Sequence, residues 1–171
     1  MTINIDNFSH IEICAPFDYE VPENVITIFL GGSIDMGAAE NWQQKVINHF
    51  DNLEYDNVLF YNPRRKDWDS TWLQHPSNPQ FSEQVNWEMD KQEKCNIKLY
   101  YFADNSVSPI TLLELGKYAN EYGNTIVYCS DKYFRYGNVA MFCDRYRISH
   151  TETFEDFILT IEKKIKEISY D

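Results

Sequence analysis

Positive charge is scarce in this chain. Its 171 residues hold 15 Lys and Arg against 27 Asp and Glu, a net charge of −12, and the isoelectric point is near 4.7. Proteins bind duplex DNA or RNA by neutralising many phosphates with a basic face, so a polynucleotide partner is disfavoured. A small anionic nucleotide is not, because one glycine turn and a few donors can hold it whatever the net charge. No apolar run approaches the ~18 residues of a membrane span. The opening MTINIDNFSHIEICAPFDYE is acidic and lacks the basic-then-apolar layout of a signal peptide. A cytoplasmic protein with no membrane partner is expected. The four cysteines (Cys14, Cys95, Cys129, Cys143) form no CxxC pair, and His10, His49, His75 and His150 fall in no ligand spacing. Neither a disulfide framework nor a metal site is therefore indicated, and no cofactor is expected.

What the chain does contain is apolar and aromatic: 43% hydrophobic and 16% aromatic residues, with only six Gly and six Pro. That composition describes one globular domain, neither disordered nor fibrous. Short runs rich in β-branched and aromatic residues at 25–30, 57–61, 96–102 and 124–129 have the look of buried parallel strands. Segments long enough for helices separate them. Ala39, Trp42, Val46 and Phe50 fall at helical spacing within 38–52, and Phe81, Val85 and Met89 within 81–94. A last helix over 153–168 repeats Phe154, Phe157, Ile158, Ile161, Ile165 and Ile168. Alternating strands and helices imply right-handed crossovers and a doubly wound, flavodoxin- or Rossmann-like α/β sandwich with four or five parallel strands. Residues 25–171 form this domain, and 1–24 an arm or added strand. Ligands of such sheets sit beyond the carboxyl ends of the strands, which directs attention to 31–37, 62–80 and 103–114.

Four motifs there could carry chemistry. Gly31-Gly32-Ser33-Ile34-Asp35-Met36-Gly37 lies between the first strand and helix, and is either a loop whose N–H groups hold a phosphate or sugar hydroxyl or simply a tight turn. Ser108-Pro109 reads as an N-cap followed by the first helical position. On that helix Leu112, Leu115, Gly116 and Ala119 form the expected core stripe, with Glu114 at its border. A carboxylate so placed suits a nucleophile or general base; the alternative is an ordinary helical Glu paired with Lys117. Glu88 flanks the Phe81/Val85/Met89 stripe, either as a second acid for glycosidic bond cleavage or as a solvated surface acid. The long loop from Asn62, through Arg64, Arg65, Lys66, Asp67 and Trp68 to Trp72, holds the clustered positive charge of the chain. It could stack on a planar heterocycle or serve an oligomer contact.

Taken together, FLGGSIDMG, NPRRKDWD, QVNWEMD, SPITLLELG and FRYGNVAMFC resemble the nucleoside 2-deoxyribosyltransferase-like family over roughly residues 25–148. The resemblance implies an N-glycosyl transferase or hydrolase in which Glu114 is the nucleophile. Glu88 would stand where the family usually has an aspartate that exchanges a proton with the base. The resemblance further implies contacts to the substrate from the glycine loop (Gly31, Gly32, Ser33, Asp35), from Asn62, Arg64, Asp67 and Trp68, and from Ser108. Asn138 would be donated by a neighbouring subunit, making a homo-oligomer. The partners would be a nucleoside or nucleotide and a free nucleobase. Ser108 and Ser33 resemble residues of the related deoxynucleotide N-glycosidases, whereas Asp35 stands where those can place an arginine. A nucleoside 5′-monophosphate hydrolase is therefore an open alternative, as is a non-catalytic nucleotide-binding module.

Overall fold

A computed structural model describes residues 12–34, 40–53, 57–119 and 123–169. In chain order these form β1 (Glu12–Cys14), β2 (Ile26–Gly32), α1 (Trp42–Asp51), β3 (Val58–Asn62), α2 (Pro79–Lys94) and β4 (Ile97–Phe102). They continue with α3 (Pro109–Tyr118), β5 (Thr125–Cys129), α4 (Tyr136–Tyr146), β6 (Ser149–Thr151) and α5 (Phe154–Ser169). The strands make one parallel sheet in the order β1-β3-β2-β4-β5-β6. The doubly wound architecture is the expected one, with six strands rather than four or five. The two extra strands, β1 and β6, are three-residue edge strands too short for a periodicity to register. The chain winds from β2 outward to β3, then returns past β2 to β4, so the switch point lies between β2 and β4.

Because successive strand side chains alternate, each central strand feeds two layers. Ile28, Leu30, Phe60, Leu99 and Ile126 point to α1 and α5, where Trp42, Val46, Phe50, Phe157, Ile161 and Ile165 complete an apolar cluster. Phe29, Leu59, Tyr61, Tyr100, Phe102 and Val127 point to α2, α3 and α4. The helix starts follow local chemistry. Asn41 accepts from the Gln44 N–H at the head of α1, and Asn78, followed by Pro79, accepts from the Phe81 N–H at the head of α2.

On the second face α2 is turned differently from its expected stripe. α2 buries Gln84, Trp87, Lys91 and Gln92 and leaves Met89 42% exposed, with Phe81 and Val85 only half-buried. Lys91 stays buried because it pairs with Asp18 and lies over the Tyr61 and Trp87 rings. α3 keeps most of its expected stripe, with Leu115 and the C-cap Ala119 buried and Leu112 packed against the core, but Thr111 and Tyr118 are buried beside them and Gly116 has open space around it. Polar side chains of the two helices therefore come together between them, and they form the candidate site.

Candidate active site

β2 ends at the switch point in Gly31-Gly32-Ser33, and its neighbour β4 fixes all three. Gly31 pairs with Tyr100, and a Cβ on it would lie 2.9 Å from the Tyr100 ring. Gly32 has φ +152°, a conformation side chains rarely adopt, and its Cβ would stand 2.5 Å from the Tyr101 carbonyl oxygen. Both glycines thus have an internal packing reason. The Ser33 N–H donates to the Tyr101 carbonyl at 2.9 Å, and its hydroxyl accepts from the Ala103 N–H at 2.9 Å. That hydroxyl lies 2.6 Å from the Ser108 hydroxyl, which is 2.6 Å from that of Ser106. The three buried serines tie the end of β2 to the start of α3.

Ser108 is not the side-chain cap expected of it. It occupies the N-cap position before Pro109, but its side chain makes no cap hydrogen bond and turns instead to Ser33 and Ser106. Its backbone is left-handed, φ 45° and ψ 50°, a conformation costing a non-glycine residue about 1 kcal/mol or more, and the buried serine cluster holds it there.

Six residues along α3, roughly 9 Å by helical rise, Glu114 meets α2. On α2 the residues Gln84, Glu88 and Gln92 recur every fourth position and so line one face. Gln84 spends both protons of its Nε2, donating to the Pro63 carbonyl and to Glu88 Oε1, each at 2.8 Å. Gln92 Nε2 donates to Glu114 Oε1 at 2.7 Å. Burial pushes the Glu88 carboxyl up to about 7, against the Gln84 hydrogen bond. Burial, and next the nearby charge of Glu88, push Glu114 up to about 8. Between those values the pair holds one proton and one negative charge, the state in which one carboxyl can attack while the other protonates a leaving group.

The loop after β3 closes the neighbouring side. Asn62 is buried, donates to Glu12 Oε1 at 2.6 Å and accepts from the Arg64 N–H at 3.0 Å. Arg64 reaches the Glu40 carbonyl at 3.4 Å. Arg65 organises the remainder. It chelates Asp67 through Nε at 2.7 Å and Nη2 at 3.2 Å, donates to Glu83 at 2.8 Å, and lies 5.1 Å over the Trp72 ring, whose centroid is 5.2 Å from that of Trp68. Asp67 is thus engaged by Arg65 at an exposed position. Glu88 and Glu114 lie within reach of each other's charge between α2 and α3, while Gly31, Gly32, Ser33 and Ser108 gather at the switch point. Asn138 sits exposed in the first turn of α4, and Asp35 lies outside the described residues. Gln84, Gln92, Tyr100 and Ser106 are polar participants that motif reading passed over, whereas Arg65 was part of the loop motif. Among the described residues no three His, Cys, Asp or Glu side chains gather to hold a metal.

A family model described as nucleoside 2-deoxyribosyltransferase like matches residues 25–133, well over half of the chain, from β2 to the loop after β5. The chain belongs to this family. The matched stretch contains both glutamates, the glycine-serine turn and the serine cluster, and it ends before Asn138. No curated protein matches the chain. As a nucleoside 2-deoxyribosyltransferase-like protein it has its two acids where a doubly wound sheet places ligand chemistry, beside the switch point.

Proposed function

We propose that this protein cleaves the N-glycosidic bond of a (deoxy)nucleoside and passes the sugar to a second base. One observation carries the reading. Two half-buried glutamates from different helices lie within reach of each other's charge beside the switch point, and burial holds both above the ordinary carboxylate range. In the first step, from the form in which Glu114, pushed higher than Glu88, has ceded its proton to Glu88, a Glu114 carboxylate oxygen bonds to C1′ as the C1′–N bond breaks, and the departing base takes its proton from Glu88. In the second step the nitrogen of an incoming base attacks C1′, its N–H proton goes to Glu88, and the ester bond breaks to restore the Glu114 carboxylate. Water in place of that base gives hydrolysis, so exclusion of solvent by the 62–80 loop decides between the two outcomes.

The three hydroxyls of Ser33, Ser106 and Ser108 favour a second reading, hydrolysis of a 5′-monophosphate. Charge weighs against it. Neither 31–39 nor 103–111 contains a Lys or Arg, and they carry Asp35 and Asp104, so an unphosphorylated 5′-hydroxyl is the better match. A homo-oligomer in which Asn138 serves a neighbouring subunit completes the proposal. Ile110 and Leu113 on α3 and Met141 on α4, all more than half exposed, support it as an apolar face to cover. The test is chromatography of a deoxynucleoside incubated with a different free base. A new nucleoside is expected from the wild type and none from Glu114→Ala, and a wild-type rate in that variant would sink the assignment.

A further inference from the structure

Glu114 does not stand alone in its half-buried place. Gln92, fully buried one turn beyond Glu88, donates from Nε2 to Glu114 Oε1 at 2.7 Å and to the Glu88 carbonyl at 3.3 Å. Its own carbonyl, Oε1, accepts the Tyr100 hydroxyl at 2.7 Å. A primary amide can be turned either way by its surroundings. Here two acceptors lie on one side and a hydroxyl donor on the other, so the nitrogen faces the carboxylate. Tyr100 is fixed in turn: it is fully buried in β4, its ring passing the place where Gly31 lacks a Cβ.

We propose that Gln92, locked by Tyr100, is the positioning residue for the nucleophile, holding Glu114 Oε1 so that Oε2 is the atom that attacks. This rests on the reading of Glu114 given above. The chain of contacts runs Gly31, Tyr100, Gln92, Glu114, and links the glycine turn to the reacting carboxyl through the interior of the sheet. It differs from a contact that only fills space, because Gln92 donates to the charged form and thereby favours it. The groups facing Glu114 are few. α2 supplies Glu88, whose charge opposes ionisation. β4 supplies Tyr100, acting through Gln92. On its own helix Lys117 lies over the Tyr118 ring, 5.2 Å from its centroid. Gln92 is thus the one described side chain that pulls Glu114 toward its charged form.

The experiment compares wild type with Gln92→Leu and Tyr100→Phe, following Glu114 by carbon NMR of its labelled carboxyl and the pH profile of base exchange. In Gln92→Leu the Glu114 titration should rise by about one pH unit, and kcat/KM at pH 6 should fall about tenfold with KM within about twofold of wild type. Tyr100→Phe keeps the ring against Gly31 and frees the amide to turn, so it should move both quantities the same way by less. It also carries the test alone should Gln92→Leu fail to fold. A Glu114 titration unmoved in the folded variants overturns the proposal, as does a loss of rate carried by KM. The NMR measurement needs no turnover, so full activity in Glu114→Ala would remove the functional reading and leave the hydrogen-bond lock to be judged on its own.

Discussion

Consider replacing Glu114 by glutamine, which keeps the shape of the side chain and its hydrogen bond from Gln92 but removes the charge. In the wild type, burial and the charge of Glu88 hold this carboxyl at about 8, against an ordinary 4.5. The folded protein therefore keeps a proton that the unfolded chain releases from about pH 4.5 upward. Wild-type stability should be greatest below that value, fall as the pH rises through the interval, and level off above about 8. At 1.36 kcal/mol per pH unit, the rise corresponds to about 5 kcal/mol, and the part of the carboxyl that still meets water lowers the expectation to about 3 kcal/mol. The glutamine variant has no such proton to lose. Urea unfolding at fixed protein concentration should find it within about 0.5 kcal/mol of wild type at pH 4.5 and more stable by about 3 kcal/mol at pH 9. Base exchange should be abolished at both. A difference between the two proteins that does not change with pH, or a glutamine variant less stable at pH 9, would refute the claim that this carboxyl is held protonated by its surroundings.

Two further outcomes follow from the same geometry. Exchange by the wild type should show a bell-shaped dependence of kcat/KM on pH, with limbs set by the shared proton near 7 and 8. Glu88→Gln should remove the alkaline limb and lower the maximum about 10²- to 10⁴-fold, the usual contribution of a general acid, as read from initial rates across pH 5–9. At the turn, Gly32→Ala forces a Cβ to within 2.5 Å of the Tyr101 carbonyl oxygen at φ +152°. It should destabilise the fold by about 3 kcal/mol in urea unfolding; a loss under about 0.5 kcal/mol would show that the strand pair can shift aside.

The strands were the most legible part of this chain because β2 to β5 are buried on both faces, and a strand covered on both sides has to be a short continuous apolar run. α5 was legible for the complementary reason: it covers one face only, so Phe157, Ile158, Ile161 and Ile165 repeat without interruption. α2 misled because hydrophobic periodicity assumes that the inward face is the apolar one. In α2 the inward face carries Gln84, Lys91 and Gln92, each meeting a partner that spacing cannot reveal, and Met89 is left outside. Glu114 and Glu88 were found by resemblance and by their border positions. Their supports were not, although Gln84, Glu88 and Gln92 repeat at intervals of four, which is the signal of one polar face on a buried helix. Tyr100 went unnoticed because in an apolar strand a tyrosine counts as packing, and its hydroxyl shows a purpose only once α2 is laid across it.

The acidity of the chain does not itself explain why these two acids hold a proton at neutral pH; their burial does. Asp18 is drawn below the ordinary carboxylate range by Lys91, Asp67 by Arg65, Asp69 by the backbone and hydroxyl of Thr71, and Glu167 by Lys164. Among the described carboxyls with a resolved displacement, only Glu88 and Glu114 move up. What distinguishes them is burial without a cation: among the described residues each is met only by a primary amide, whose directed hydrogen bond favours the charged form but does not offset the burial. A lysine at position 84 or 92 would satisfy the carboxylates more strongly and hold them ionised, as Lys91 holds Asp18, leaving no proton to give a departing base near pH 7. Glutamine aligns the carboxyls while burial keeps them weakly acidic, and the proposed transfer requires both conditions at the same atoms.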